Sequence, residues 1–158
     1  MISQEQVREL LDYRDGALYW RKKIASKIIV GTRAGYHCTG AGTRRSIRLY
    51  SRTYYEHRII WLWHYGEVPQ FLDHVNTDPA DNRIENLRGC SQSQNNANTH
   101  TSCSAGLKGV YFHHGGWRAK INAGGKTHYL GSYASPELAS DAYMVAATRH
   151  FGEFARRA

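Results

Sequence analysis

Leu72-Asp73-His74-Val75-Asn76-Thr77-Asp78, then Asp81-Asn82-Arg83-Ile84-Glu85-Asn86-Leu87-Arg88, then Ser91-Gln92-Ser93-Gln94-Asn95-Asn96 form the stretch on which the fold turns. Phe71 to Val75 reads as a short strand, and Asn76 to Asp81, with Pro79 inside it, as a loop. Asn86 to Cys90 reads as a returning strand, and Ser91 with Gln94 as a capping box that opens a helix. The unit carries a carboxylate, an imidazole beside it and an amide further on. Those groups suit one hard divalent cation and one activated water acting on a phosphodiester. An imidazole of ordinary pKa, about 6.5, is mostly neutral at pH 7 and can take a proton from water without special tuning. Neighbouring strand residues point to opposite faces, so Asp73 and His74 serve one site only where the strand ends or bulges.

On the N-terminal side, Ser3 with Gln6 makes a second capping box, and Val7, Leu10 and Leu11 recur at helical spacing, which predicts a short helix ending near Tyr13. Arg14-Asp15-Gly16 reads as a turn into the strand Ala17 to Trp20, and the segment from Gly31 to Gly42 as loops around a short strand. Ser46 to Tyr50 alternates polar and apolar, as a half-buried strand does, and His57 to Tyr65 reads as an apolar helix stopped by Gly66. On the C-terminal side, strands are expected at Val110 to His113, Trp117 to Asn122 and Thr127 to Leu130. A helix capped by Ser135, with Pro136 at its first position, follows them. Its predicted apolar face is Leu138, Ala139, Ala142, Tyr143, Ala146 and Ala147, which would cover the small sheet.

The 158 residues carry 21 basic and 13 acidic side chains, a formal net charge of +8, with eleven tyrosines and four tryptophans. The charge is divided: residues 1–55 hold +7, 56–104 hold −3 and 105–158 hold +4. An acidic centre between basic flanks suits a cation site whose neighbours hold phosphates. Cys38, Cys90 and Cys103 contain no C-x-x-C pair and leave an odd thiol, which argues against a disulfide framework and for a reducing compartment. A zinc site from Cys90, His100, Cys103 and one further ligand is the alternative reading of that cluster. No apolar run reaches membrane-spanning length, so a cytoplasmic protein is expected, with no membrane partner.

The central motif resembles the HNH nucleases, and within them the form found in phage-borne and intron-borne homing endonucleases, whose ββα-metal fold sets two strands and a helix around one divalent ion. The resemblance implies His74 as general base, Asp73 and Asn95 as ligands of one Mg²⁺ or Mn²⁺, and Asn86 as the middle asparagine that braces the loop, with Asn82 in a similar structural role. The last motif position is asparagine where the family name implies histidine. Asn95 and Asn96 both stand there, and the capping box favours Asn95. His57-Arg58 resembles the segment upstream of the family's motif, and either residue can contact phosphate or serve packing. The implied setting is the cytoplasm of a bacterial host cell, if the chain is phage-encoded.

Residues 109–155 resemble the DNA-binding domain of plant apetala and ethylene-response factors, also found fused to phage HNH nucleases. Gly109-Val110, Trp117-Arg118-Ala119, Tyr129-Leu130-Gly131-Ser132-Tyr133, Glu137-Leu138-Ala139 and Phe151-Gly152-Glu153-Phe154-Ala155 carry the likeness. Strand parity puts Tyr111, His113, Arg118, Lys120, Asn122, Thr127 and Tyr129 on one open basic face, suited to the major groove of double-stranded DNA. Tyr111 and His113 stand where the plant domains usually have arginines, so the sequence they read does not transfer.

The chain is therefore expected to be α+β. A nuclease region spans 1–98, with its ββα-metal core at about 54–98. A linker covers 99–107, and 108–158 form a three-stranded antiparallel sheet with one packed helix. One active site per chain cuts one strand, so a monomer nicks, and a double-strand break needs a homodimer or a second binding event. Two rivals stand beside this reading: a non-catalytic DNA-binding regulator with a degenerate nuclease fold, and a nuclease selective for branched or damaged DNA.

Overall fold

Helix α1 (Gln4–Leu10) opens on the Ser3–Gln6 capping box, each side chain accepting a hydrogen bond from the other residue's backbone N–H. It ends at Leu10, short of the expected Tyr13, because Leu11 is taken into strand β1 (Leu11–Arg14) opposite Trp20 of strand β2 (Ala17–Trp20). Burying Leu11 in that pair outweighs one more turn of helix. Asp15 and Gly16, at φ 42° and 78°, make the tight connection whose twist suits a hairpin. A Cβ on Gly16 would lie 2.8 Å from the backbone nitrogen of Arg83, so only glycine lets this turn support the central loop.

The structure is a computed structural model that describes residues 2–38, 44–99 and 106–157. Strands β3 (Tyr36–His37), β4 (Arg45–Leu49) and β5 (Arg52–Tyr55) form a sheet in that order, with Ile47 opposite Tyr54 and Arg48 opposite Thr53. Strand β5 has no counterpart in the sequence reading. Its Arg-Thr-Tyr-Tyr run is largely exposed, and its pairing with β4 defines it. Helix α2 (Glu56–Tyr65) follows directly, ends on Gly66 at φ 82°, and buries Ile59, Ile60 and Leu62 against Leu11, Leu18 and Ile47. Each such side chain removed from water stabilises the fold by about 1.5–3 kcal/mol. Strand β6 (Phe71–His74) pairs with β7 (Leu87–Cys90), and a short 3-10 turn, Ile84–Asn86, leads into β7.

Two compact units result, Met1–Gly89 and Cys90–Ala158. The division precedes the expected end of the nuclease region at 98. Helix α3 (Gln92–Asn98), opened by the Ser91–Gln94 capping box, puts Ala97 into the second unit's core with Ile121, Tyr143 and Phe151. Lys108 fastens the end of α3 by donating from Nζ to the carbonyls of Ala97 and Thr99. The expected linker lies largely outside the described residues, as do His100 and Cys103 of the zinc alternative.

In the second unit β8 (Val110–His113), β9 (Gly116–Ala123) and β10 (Lys126–Tyr133) form an antiparallel sheet with β9 central. Helix α4 (Pro136–Phe151), capped by Ser135, covers one face of it. The buried side of α4 is Ala139, Ser140, Tyr143, Ala147 and Phe151. Leu138, expected on that side, is 52% exposed, because the stripe passes through Ala139 and Tyr143 and continues one turn further to Phe151. The mixed helices and small sheets are an α+β fold. Among the described residues no helix is long and apolar enough to cross a membrane.

Candidate active site

Strand β6 ends at His74, and its last two residues, Asp73 and His74, are only 6% and 8% exposed. Their alternation along the strand gives them different partners. Arg88 on β7 donates from Nε to Asp73 Oδ2 at 3.0 Å and places Nη2 at the same distance from that oxygen. Both side chains are nearly enclosed, so the pair is electrostatically stronger than a surface bridge and costly to break.

His74 faces the other way. Its Nε2 lies 3.0 Å from Asn82 Oδ1, and Asn82 Nδ2 donates to Glu56 Oε2 at 3.2 Å. Glu56, at the first position of α2, is completely buried. It accepts a long bond from the Leu18 backbone N–H at 3.4 Å and has Arg33 and Arg45 each at 3.6 Å. A buried carboxylate is tolerated only when charges and donors surround it, and the positive end of the helix adds to them.

His57 packs edge-on to His74, with ring centroids 5.3 Å apart, and stacks on Tyr55 at 5.7 Å. Burial pushes its pKa down to about 3, with smaller contributions from His74, Arg44 and Arg58. Arg58, read as a possible phosphate contact, donates to the carbonyls of Pro69 and Gln70. Those bonds hold the approach to β6 in place.

The loop between the strands is clamped by Asn86. Its Oδ1 accepts from the Asn76 N–H at 3.0 Å, and its Nδ2 donates to Asn76 Oδ1 at 3.0 Å and to the Asp81 carbonyl at 2.7 Å. The Val75 N–H donates to the Asn86 carbonyl at 2.8 Å, closing the frame. Asp81 accepts from Arg83, which holds its carboxyl down at a pKa of about 2. Asn82 bonds His74 and Glu56, a side-chain role distinct from the loop bracing read in the sequence.

The first unit thus assembles Asp73, His74, Asn82 and Asn86. Asn95 stands on α3 in the second unit, as does Asn96, which lines a cavity of about 330 Å³ with Lys108, Lys120 and Tyr143. Among the described residues no three His, Cys, Asp or Glu side chains gather into a metal cluster. Asp73 offers a hard oxygen on a fixed strand end, a donor suited to a cation that draws most of its shell from water and phosphate. Glu56 and Arg88 were not singled out in the sequence. Arg88 was legible only as part of the motif, and nothing local marks Glu56 as buried.

The second unit has its own polar surface. Tyr111 lies opposite Arg118, Lys120 opposite Tyr129 and Asn122 opposite Thr127, so these six side chains share one face; His113, opposite Gly116, continues the row. Lys120 Nζ sits 5.0 Å from the Tyr111 ring centroid, and Thr127 Oγ1 donates to Asn122 Oδ1 at 2.7 Å. The opposite face carries Ala119, Ile121 and Ala123 into the core.

Residues 54–97 match the model of the HNH endonuclease family. The chain is 29% identical over 119 residues to Protein 3.8 of Escherichia phage T7, covering 72% of this chain and 98% of that protein. It is 32% identical over 103 residues to a protein of Acanthamoeba polyphaga mimivirus named uncharacterized HNH endonuclease L560, covering 63% of this chain. The match spans 54% of the mimivirus protein, about half its length. No solved structure matches the chain.

Proposed function

We propose that the protein is a metal-dependent endonuclease that hydrolyses phosphodiesters of double-stranded DNA, with His74 as general base. The observation that carries this reading is the strand end of β6, where a fixed imidazole stands next to a fixed carboxylate inside the stretch that matches the HNH family model. His74 takes a proton from the attacking water, and its bond to Asn82 orients the ring for that transfer. Asp73 is the ligand the first unit supplies, aimed by Arg88. Asn95 is retained as the second ligand on the family motif alone. When bound, one Mg²⁺ or Mn²⁺ supplies charge neutralisation at the phosphoryl oxygens and stabilises the leaving oxygen. Asn86 keeps the loop framed so that neither side chain drifts.

The row Tyr111, His113, Arg118, Lys120, Asn122, Thr127 and Tyr129 is the proposed duplex reader, in the manner of the apetala-type sheet. Its exposed lysine and amide groups can reach phosphate or base edges. A homing-type enzyme that nicks one strand per active site is the form this reading takes. Incubating wild type and His74→Ala with supercoiled plasmid and Mg²⁺ or Mn²⁺ tests it. Wild type should convert plasmid to the nicked form, and the variant should lose about 10²- to 10⁴-fold in rate. Equal cleavage by both removes His74 as the base.

A further inference from the structure

The proposed function leaves one buried group without a task. Glu56 lies outside the strand, loop and strand motif, yet its carboxylate is fully enclosed. Removing an ionised carboxylate from water costs several kcal/mol before compensation. Arg33, Arg45, the Leu18 N–H and Asn82 supply that compensation.

We infer that Glu56 is a positioning residue that fixes the tautomer of His74 through Asn82, so that Nδ1 is the ring atom that takes the proton from water. The inference rests on the reading of His74 as general base for its mechanistic meaning, although the tautomer itself is a separate physical fact. An ionised carboxylate accepts hydrogen bonds and cannot donate them. The end of the Asn82 amide that meets Glu56 must therefore be its NH₂ group, as the 3.2 Å contact from Nδ2 has it. Its other end, Oδ1, is then turned to His74 Nε2 at 3.0 Å and can only accept. Nε2 must carry the hydrogen, which leaves the lone pair on Nδ1. The sense of the whole chain is set at Glu56, the one member that cannot reverse its role. Arg33 and Arg45 each place a guanidinium nitrogen 3.6 Å from Glu56 Oε2 and offer only donors, so these charged neighbours of the carboxylate also meet it as an acceptor.

Glu56→Gln keeps the shape and removes the constraint. A glutamine side chain can offer either an oxygen or an NH₂ group to Asn82, so the Asn82 amide is free to rotate and both tautomers of His74 become populated. ¹⁵N long-range correlation spectra of the full chain, recorded without metal above the histidine titration range, read this directly. In wild type His74 should show a protonated, pyrrole-like Nε2 and an unprotonated, pyridine-like Nδ1. In Glu56→Gln the two nitrogens should move toward a common averaged shift, while kcat falls on the order of 10- to 100-fold with KM little changed.

A wild-type spectrum with the hydrogen on Nδ1 overturns the inference. So does an unaltered His74 tautomer in a folded Glu56→Gln protein, even if its activity drops. If Glu56→Gln does not fold, Asn82→Ala removes the acceptor instead and must produce the same averaging. Failure of the nuclease reading shows up separately, as His74→Ala that still cuts plasmid, and does not alter what the spectra report.

Discussion

The two units use polar residues in opposite ways. In the first, Glu56, Asp73, His74, Asn82 and Asn86 are all buried and each is tied to another side chain. In the second, the polar row along β9 and β10 stays at the surface, with Lys120, Asn122, Thr127 and Tyr129 exposed, while the sheet's other face is buried alanine and isoleucine. Chemistry on a single phosphodiester needs groups held within a fraction of an ångström in a medium of low polarity, which burial and mutual bonding provide. Holding a long polyanion needs exposed cations acting additively, which a twisted open sheet provides. The contrast fits the proposed division between a general base held in the first unit and a DNA-gripping face on the second.

The sharpest way to break the comparison is at Asp73. Replacing Arg88 with alanine leaves a carboxylate with under a tenth of its side chain exposed and its guanidinium gone. A loss of about 3 kcal/mol is expected, read as a fall in thermal midpoint of about 6–12 °C. A midpoint within a degree or two of wild type means that the enclosed Asp73–Arg88 pair is not costly to break.

A smaller effect per pH unit is expected from acid. The folded protein keeps His57 neutral down to about pH 3, whereas the unfolded chain takes the proton near the ordinary histidine value of 6.5. The unfolded state therefore binds more protons between those limits, so stability is full above about pH 6.5 and declines as pH falls toward 3. The slope from this one group is at most about 1.4 kcal/mol per pH unit. Urea titrations of wild type and His57→Phe across that range test it, and the variant should show a flatter decline. Equal slopes would place the acid sensitivity elsewhere.

The smallest change in stability, and a distinct one in binding, is expected from the second unit. Arg118→Ala and Lys120→Ala should each shift stability by no more than about 0.5 kcal/mol. Each should also lower the salt slope of duplex binding by about one. Fluorescence anisotropy on a labelled duplex at several salt concentrations separates the outcomes. If both variants bind with unchanged slope, the exposed row does not contact DNA phosphates.

Much of the fold was legible because its signals are local. Both capping boxes, the Asp15-Gly16 turn, the Gly66 stop and the Ser135-Pro136 start each fix a boundary through backbone chemistry within a few residues. The alternation of β9 was readable for the same reason, since period two is a property of the strand itself. Strand β5 was missed because its identity comes from pairing with β4, and the end of α1 moved because Leu11 has a partner in Trp20.

The sequence by itself determined the order of strand, loop, strand and helix around Asp73 and His74, and the parity of the basic row in the second unit, because spacing and turn chemistry suffice for both. Only the tertiary structure decided what surrounds His74. Glu56 reaches Asn82 across 26 positions and the Leu18 backbone across 38, and Arg88 meets Asp73 across 15. Such contacts depend on how hairpin, helix and strand pack together, and no local pattern marks a glutamate at the start of a helix as fully buried. Burial is a property of the packed chain, and it is burial that turns a surface carboxylate into a fixed acceptor able to orient a histidine two bonds of the network away.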